Sequence, residues 1–421
     1  MRISRLTIEN FRGFAGASEI AFPEGNLCVI IGKNGGGKSS ITDVLAACGN
    51  LFFWTATSVK FQAGRQLRRK DIHRQANRSQ FRLSLDWKDV AGGIVGALSL
   101  DETFGGHLLD GGLEEAVKAA YQNREALTPL FLHYATDRRQ LPKDALDHAF
   151  AFVVDPRMAY ADVTYRDFSE TLFTHFFNDQ INQENAAKVN RQDLNYELPY
   201  LKLLRQKLAA FLKNFFGRQA LIALKTVSDR LELVLELGDD DLLLSQLSSG
   251  EKFIVSFVLD ICTVLIRGNG LRAESLEAPG IVVIDEIEQH LHPDWQAKIV
   301  PALTQTFPNL QFIVTTHSPL VINQVKHDNI IVLDDFRVTP GTQLRETYGM
   351  DVNGVLNSIM GAPLRPQAVR QKFSAIGEAL EAGQIEQAKN ALRVLKREVD
   401  PDDPEILALE DIVPLYENEK A

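Results

Sequence analysis

The sequence predicts an α/β protein, a mixed sheet with crossover helices, and three observations predict it. Apolar strand-like runs alternate with helix-length stretches between residues 245 and 335, the order that lays strands in parallel with helices between them. The apolar run "NLCVIIG" leads into "GKNGGGKS" at 32–39 and then into a helical pattern, the strand–loop–helix context of a phosphate-binding loop. A second turn, "LSSGEK" at 247–252, opens another helix. Its backbone N–H groups and helix dipole make it a second anion-binding start.

Bulk properties narrow the class. The chain has 421 residues, 45% of them apolar and 24% charged, and a formal charge of −10. That length predicts two or three structural units with ample core. The negative total argues against a protein that coats nucleic acid over its whole surface, while leaving room for a local basic groove. Cys28, Cys48 and Cys262 stand far apart without metal-ligand spacing, which predicts buried, reduced thiols in a cytoplasmic protein. The start, "MRISRLTIENFRGF", alternates like a strand rather than a signal peptide. The most apolar run, "FIVSFVLDICTVLI" at 253–266, contains Asp260 and falls short of the roughly 20 residues that span a bilayer. It reads as a buried helix, and no membrane segment is expected.

Residues 1–50 read strand, turn, strand, loop, helix. "RLSLDW" follows as a strand with "GGIVGALSL" as hairpin partner, and "LTPLFLHYA" is another strand ending near 135. From about 165 to 217 the pattern is helical, in "FSETLFTHFFNDQ" and "YLKLLRQKLAAFLKNFFG", with a polar stretch, "NQENAAKVNRQDLN", separating them. "RLELVLELG" is a strand and "GDDD" a turn. Then come the helix after "LSSGEK", the strand "GIVVIDE", the helix of "PDWQAKIVPALTQTF" and the strand "LQFIVTTH". The tail reads as two helices around Gly383 and an acidic end. These readings divide the chain at 1–164, 165–218, 219–335 and 336–421: two lobes, a helical insert between them and a helical tail.

The chemistry concentrates in the lobes. Gly32, Asn34, Gly35, Gly36, Gly37, Lys38, Ser39 and Ser40 form the phosphate loop and its helix start. The glycines let backbone N–H groups wrap phosphates, Lys38 brings a point charge to the β/γ-phosphates, and Ser39 offers a hydroxyl to Mg²⁺. In "GIVVIDEIE" a buried strand ends in two acids. Asp285 can reach the Mg²⁺ shell, and Glu286 can polarise a water for attack on the γ-phosphate. "IVTTHSP" ends the next strand at His317, where open parallel sheets bind ligands.

In this order the phosphate loop, "LSSGEK", "VVIDE" and "TTHS" resemble the ATP-binding-cassette nucleotide-binding fold in its soluble SMC/RecF-like branch. The resemblance implies ATP and Mg²⁺ as cofactors and two heads dimerised head to tail. In such a dimer Ser248, Ser249, Gly250 and Glu251 face the γ-phosphate held by Lys38 of the partner subunit, so two half-sites per chain make two whole sites per dimer. It further implies that Arg12 in "IENFRGF" contacts the nucleotide and that "EQHLHP" touches the other head. Gln62 and Gln140 are both candidates for the glutamine that follows the first lobe. His290 and His292 lack an evident third ligand for a metal. No zinc-hook cysteine pair and no long coiled coil is present, and Asp334 and Asp335 read as a strand ending in a turn rather than as part of a fused Toprim nuclease.

Among short members of this branch, the compact insert, "PLFLHYATDR" and the tail "GMDVNGVLNSIMGAPLRP" look like the ATPases of bacterial antiphage systems. These are the Septu-type (PtuA-like) and retron-associated ATPases, with the PARIS-type as a near alternative. The resemblance implies a regulatory ATPase that answers DNA or a phage-derived trigger and controls a separate nuclease. The alternative is a RecF-like repair ATPase acting as an ATP-gated DNA clamp. A transporter motor would need a coupling surface for a membrane subunit, and the RecF-like start speaks against it. Tyr134 and Arg138 are placed near the nucleotide or a subunit contact.

Two features stay open in the sequence. Arg65, Arg68, Arg69, Lys70, Arg74 and Arg78 stand against the single acid Asp71, either as a nucleic-acid groove or as a solvated face pairing with acids elsewhere. In the tail, Val369, Phe373, Ile376 and Leu380 share one helical face, and Ile385, Ala388, Leu392 and Leu395 another. Such a hairpin packs on the ATPase core, binds a partner protein or builds a higher oligomer.

Overall fold

Six strands make the sheet that positions the candidate site, in the order β14 (Arg337–Pro340), β13 (Ile330–Asp334), β3 (Leu27–Gly32), β12 (Leu310–Thr315), β11 (Gly280–Ile284) and β7 (Leu130–Tyr134). All neighbours are parallel except β14, which returns antiparallel on β13. Every residue of β7, β11 and β12 is buried, as parallel strands covered on both faces require. Parallel pairing brings the carboxyl ends of β3, β11 and β12 to one edge, so Gly32, Asp285 and Thr315 are neighbours there. The computed structural model describes residues 1–57, 69–86, 94–100, 107–108, 127–136, 170–217, 219–227, 230–237 and 240–418. Gln62, Arg65, Arg68, Arg138 and Gln140 lie outside the described residues.

A second, antiparallel sheet has the order β2 (Phe14–Ala21), β1 (Arg2–Phe11), β4 (Ser79–Asp86), β5 (Ile94–Leu100), β6 (His107–Leu108). The predicted "RLSLDW" hairpin is present as β4 paired antiparallel with β5. An irregularity between Ile3 and Arg5 in the β1–β4 register lets Ile3, Leu6 and Ile8 all face the core, because a one-residue slip exchanges the faces of a strand.

A third sheet, β10 (Asp240–Leu243), β9 (Arg230–Leu237) and β8 (Leu221–Val227), is wholly antiparallel. Here "GDDD" is more than a turn, since Asp240 and Asp241 already pair with Leu237 and Glu236. The helical insert also departs from expectation. Most of its polar stretch continues the first helix, Glu170–Arg191, and only its last residues, from Gln192, lie between the two helices. The cause is Glu184, buried within that stretch, which accepts the Leu198 N–H at 3.0 Å and both Arg205 terminal nitrogens at 2.9 and 3.1 Å from the helix Pro199–Phe216. A charged residue that polar patterning assigns to solvent is thus the clasp between the two helices.

The helix Ser249–Asn269 is buried along most of its length, as its apolar run predicts. No helix among the described residues is long and apolar enough to cross a membrane. Residues Met1–Val355 form one compact unit and Leu356–Ala421 another. The break falls after the position read from sequence, because residues 337–340 are a strand paired with β13 rather than the start of a helical tail. Among the described residues the second unit has three α-helices, Gln367–Glu381, Ile385–Leu395 and Pro404–Asn418. Ile376, Leu380, Ala388, Leu392 and Leu395 share a core with Ile406 and Val413 of the third helix, a helix the acidic composition concealed.

Candidate functional site

Between β3 and the helix Lys38–Thr57 the chain turns through its glycine-rich loop, where the Gly36 N–H donates to the Lys33 carbonyl at 3.1 Å. Gly35 and Gly37 have φ of 78° and 109°, a region that side chains with a Cβ avoid. Lys38 is almost fully buried, and its ammonium donates to the carbonyls of Gly32 at 2.9 Å and Lys33 at 3.1 Å. Burial lowers its pKa, opposed by the charges of Asp285, Glu286 and Glu288. Those three acids therefore lie close enough to Lys38 to act on its charge. Asn34, Gly35 and Ser39 are exposed, and Ser40 is buried.

Asp285 is buried, with both oxygens occupied: the Thr315 hydroxyl donates to Oδ1 at 2.6 Å and the Thr136 hydroxyl to Oδ2 at 2.8 Å. Thr315 also accepts the backbone N–H of Glu286 at 2.8 Å, and Glu286 itself has φ of 50°. A non-glycine residue in that region is uncommon and concentrates at functional sites. The two acids thus leave the strand end in different directions, one held inward by hydroxyls and the other turned by its backbone.

His317 follows Thr316 at the end of β12. Its pKa is lowered by burial first and by the Lys38 charge next, against the pull of Glu288, Glu286 and Asp285, so the imidazole is neutral at pH 7. Glu288 fixes this loop. Its carboxylate accepts the Thr316 hydroxyl at 2.7 Å and the His317 backbone N–H at 2.5 Å. Thr136, Glu288, Thr315 and Thr316 were not singled out in the sequence. The signal available was two hydroxyls directly before a strand-end histidine, and a third acid two residues after Glu286.

Arg12 stands with φ of 49° in the β1–β2 turn. Its guanidinium bonds Asp43 of the phosphate-loop helix at 2.7 Å, Asp71 at 3.0 Å and the Ser40 hydroxyl at 3.3 Å. Arg12 thereby touches the helix start through Ser40, with its charge held by two acids. Since Asp71 pairs with Arg12, the exposed Lys70, Arg74 and Arg78 have no ion pair to another described residue.

At "LSSGEK" Ser248 and Glu251 form a reciprocal cap: the Ser248 Oγ accepts the Glu251 N–H, and Glu251 accepts the Ser248 N–H at 2.9 Å. Ser249 is exposed, while Gly250 is buried. A Cβ at Gly250 would lie 2.8 Å from the His290 carbonyl and from the Trp295 ring. The loop after Glu286 therefore abuts the "LSSGEK" turn, the signature turn that opens the signature helix Ser249–Asn269, through His290, and Gly250 is the residue that permits the approach. His292 caps the helix Pro293–Thr306 by accepting the Asp294 N–H. Tyr134 contributes no open wall. It is buried, and its hydroxyl donates to Asp260 of the signature helix at 2.7 Å.

Comparison with known proteins gives the family. A family model described as "AAA domain, putative AbiEii toxin, Type IV TA system" matches residues 27–323. The protein "Retron Ec83 probable ATPase" of Escherichia coli is 25% identical over 399 residues, covering 79% of this chain and 71% of its own length. "Retron Vc95 probable ATPase" of Vibrio cholerae serotype O1 biovar El Tor is 24% identical over 442 residues, covering 91% and 83%. "Septu protein PtuA" of Bacillus mycoides (strain KBAB4) is 39% identical over 118 residues, 27% of this chain and 16% of that protein. Among solved structures, an Smc head bound to the C-winged helix domain of ScpA aligns with a TM-score of 0.48 at 16% identity, covering 80% of this chain and 98% of that one. Because the matched segment runs from β3 to beyond His317, it spans the phosphate loop, the paired acids and the signature turn together. The chain belongs to the P-loop ATPase family that this model describes, "AAA domain, putative AbiEii toxin, Type IV TA system".

Proposed function

We propose that this chain is the ATP-hydrolysing regulatory subunit of an antiphage defence complex, closing head to tail as a dimer around ATP and controlling a separate nuclease. The observation that carries the ATPase chemistry is the placing of Lys38 after β3, Asp285 and Glu286 after β11, and His317 after β12 at one edge of the sheet, with Thr315 tying the paired acids to β12 and Glu288 tying their loop to His317. The defence role rests on the relatives named for retrons and Septu.

The donor set fits both cofactors. Glycine amides and a buried ammonium suit the phosphate chain, while the exposed Ser39 hydroxyl and the Asp285 carboxylate suit a small hard cation. Mg²⁺ bound there neutralises charge that develops on the phosphates. Lys38 binds the β- and γ-phosphates, and Glu286 takes the proton of the attacking water. Neutral His317 donates one N–H hydrogen bond to a γ-phosphate oxygen. Ser248, Ser249, Gly250 and Glu251 supply the helix start that completes the partner subunit's site, and Arg12 reaches the nucleotide through Ser40. Loss of the γ-phosphate removes the charge between the heads and lets them part. The trigger is DNA or a phage-derived molecule, and Lys70, Arg74 and Arg78 offer the exposed charge a DNA trigger would need.

Native mass spectrometry of Glu286→Gln, purified from its own host with ATP and Mg²⁺, tests this reading. The expected result is a dimer with two ATP and a nuclease subunit. A monomer with ATP bound overturns the head-to-tail closure, and a bare dimer that retains DNA favours the repair clamp.

A further inference from the structure

The turn between β13 and β14 has only two residues beyond the last pair, Asp334 with Arg337. Both are left-handed, Asp335 at φ 47° and Phe336 at φ 63°. Two-residue hairpins demand such angles and ordinarily recruit Asn or Gly for them. A bulky aromatic is an outlier there, and strain of this kind persists where the surroundings over-determine it.

The surroundings here are the phosphate loop. The Phe336 N–H donates to the Gly36 carbonyl at 3.0 Å. A Cβ on Gly37 would lie 2.8 Å from the Phe336 ring, and one on Gly13 would overlap it. The ring also meets Phe14 edge to face, with centroids 5.2 Å apart. A Cβ on Gly36 would lie 3.2 Å from the carbonyl of Leu333, at the end of β13. So the loop is walled from behind by this hairpin, and Phe336 is the wedge between it and the β1–β2 turn. Two glycines, one in each turn, are shaped around that ring.

We infer that Phe336 is a positioning residue for the phosphate loop: its ring holds Gly36–Gly37 open in the cradle geometry, and the strained turn is retained for that purpose. The inference rests on the phosphate-loop reading proposed above. It assigns the hairpin a role in binding the phosphates and none in recognising the base.

The test uses the full chain and two probes, ATP and inorganic tripolyphosphate, each with Mg²⁺, read by calorimetry beside a thermal melt. For Phe336→Gly, whose backbone suits the turn, both ligands should weaken by about tenfold and by the same factor. Phe336→Tyr should restore both. Asp335→Gly relaxes the turn but keeps the ring, and it should leave both affinities unchanged. Should Phe336→Gly not fold, Phe336→Leu fills part of the space without reaching both glycines, and it should lose affinity for both probes. Unchanged affinities in Phe336→Gly, or in Phe336→Leu where the glycine variant does not fold, overturn the inference, as does a loss confined to ATP, which would make the ring a base contact. A loss that Phe336→Tyr fails to restore also overturns it. Wild-type protein that binds neither probe would instead fail the phosphate-loop reading itself, and Lys38→Ala serves as the control for that case.

Discussion

Glu288 and His317 are joined through the backbone, the Glu288 carboxylate accepting the His317 N–H at 2.5 Å while its other oxygen takes the Thr316 hydroxyl. This bond ties the loop after the paired acids to the loop that carries the histidine. Glu288 does not need to touch nucleotide to matter, since it decides where His317 stands. Glu288→Ala should lower kcat by about 10- to 100-fold, the usual cost of losing a supporting residue behind a reacting shell. KM and ATP affinity should stay near wild type. Glu288→Gln keeps an acceptor for the His317 N–H and should fall between the two. Equal losses in affinity and turnover would show that Glu288 serves binding instead.

The paired acids divide along the lines their surroundings set. Asp285 is buried between two threonine hydroxyls, whereas Glu286 is half-buried and turned outward by its φ of 50°. Glu286→Gln should keep ATP affinity and reduce turnover by about 10²- to 10⁴-fold, the range lost with a general base. Lys38→Ala should instead weaken ATP binding by at least about tenfold. Steady-state rates and calorimetric affinities on both variants separate the two roles. A Glu286→Gln protein with normal turnover would remove Glu286 from the chemistry.

His317 is neutral because burial and Lys38 both oppose its protonation. Acidification through its lowered pKa converts the ring to a cation beside Lys38. Turnover should therefore drop on the acid side below about pH 6.5, the ordinary histidine value, and the drop should be absent in His317→Asn at that variant's lower rate. A pH–rate profile of both proteins checks this.

The alternating strand and helix pattern made the central sheet legible, because strands buried on both faces read as continuous apolar runs such as "GIVVI". The phosphate loop and paired acids were legible for a local reason: their chemistry is carried by adjacent residues. What stayed hidden was long-range. Glu184 looks like solvent-facing charge until Arg205 arrives from the next helix. Glu288 looks like one more loop acid until β12 brings Thr316 beside it. Asp240 and Asp241 look like a turn because their strand partners, Leu237 and Glu236, come from a preceding run that reads as complete without them. Phe336 is hidden doubly, since neither its left-handed backbone nor its contact with Gly37 leaves a trace in composition.

Tyr134 links the strand beside the paired acids to the signature helix through its hydroxyl on Asp260. Its backbone carbonyl also accepts the Asp285 N–H at 2.8 Å. Tyr134→Phe removes one donor from a buried carboxylate and keeps the ring against Phe257. Stability should fall by about 1–3 kcal/mol, the cost of leaving a buried acceptor short of a donor. A denaturation series with an unchanged m-value would assign the loss to that bond. A change below about 0.5 kcal/mol would mean that Asp260 finds another donor.

Glu346 provides a test by pH. Tyr348 leads the backbone N–H groups that hold its carboxylate, and the His327 N–H and ring add to them, pulling its pKa down to about 2. A carboxyl depressed on folding binds fewer protons folded than unfolded. Its contribution is complete above the unfolded value of about 4.3 and fades as pH falls toward the folded one. Wild type should thus melt above Glu346→Gln at neutral pH, with the gap narrowing as pH falls below that unfolded value. Because the carboxylate is exposed, salt will screen charge–charge attraction but little of what three backbone bonds supply. A gap that closes in high salt at pH 7 would assign the effect to charge attraction. A gap that survives salt and closes only in acid would assign it to the loop at 346–348.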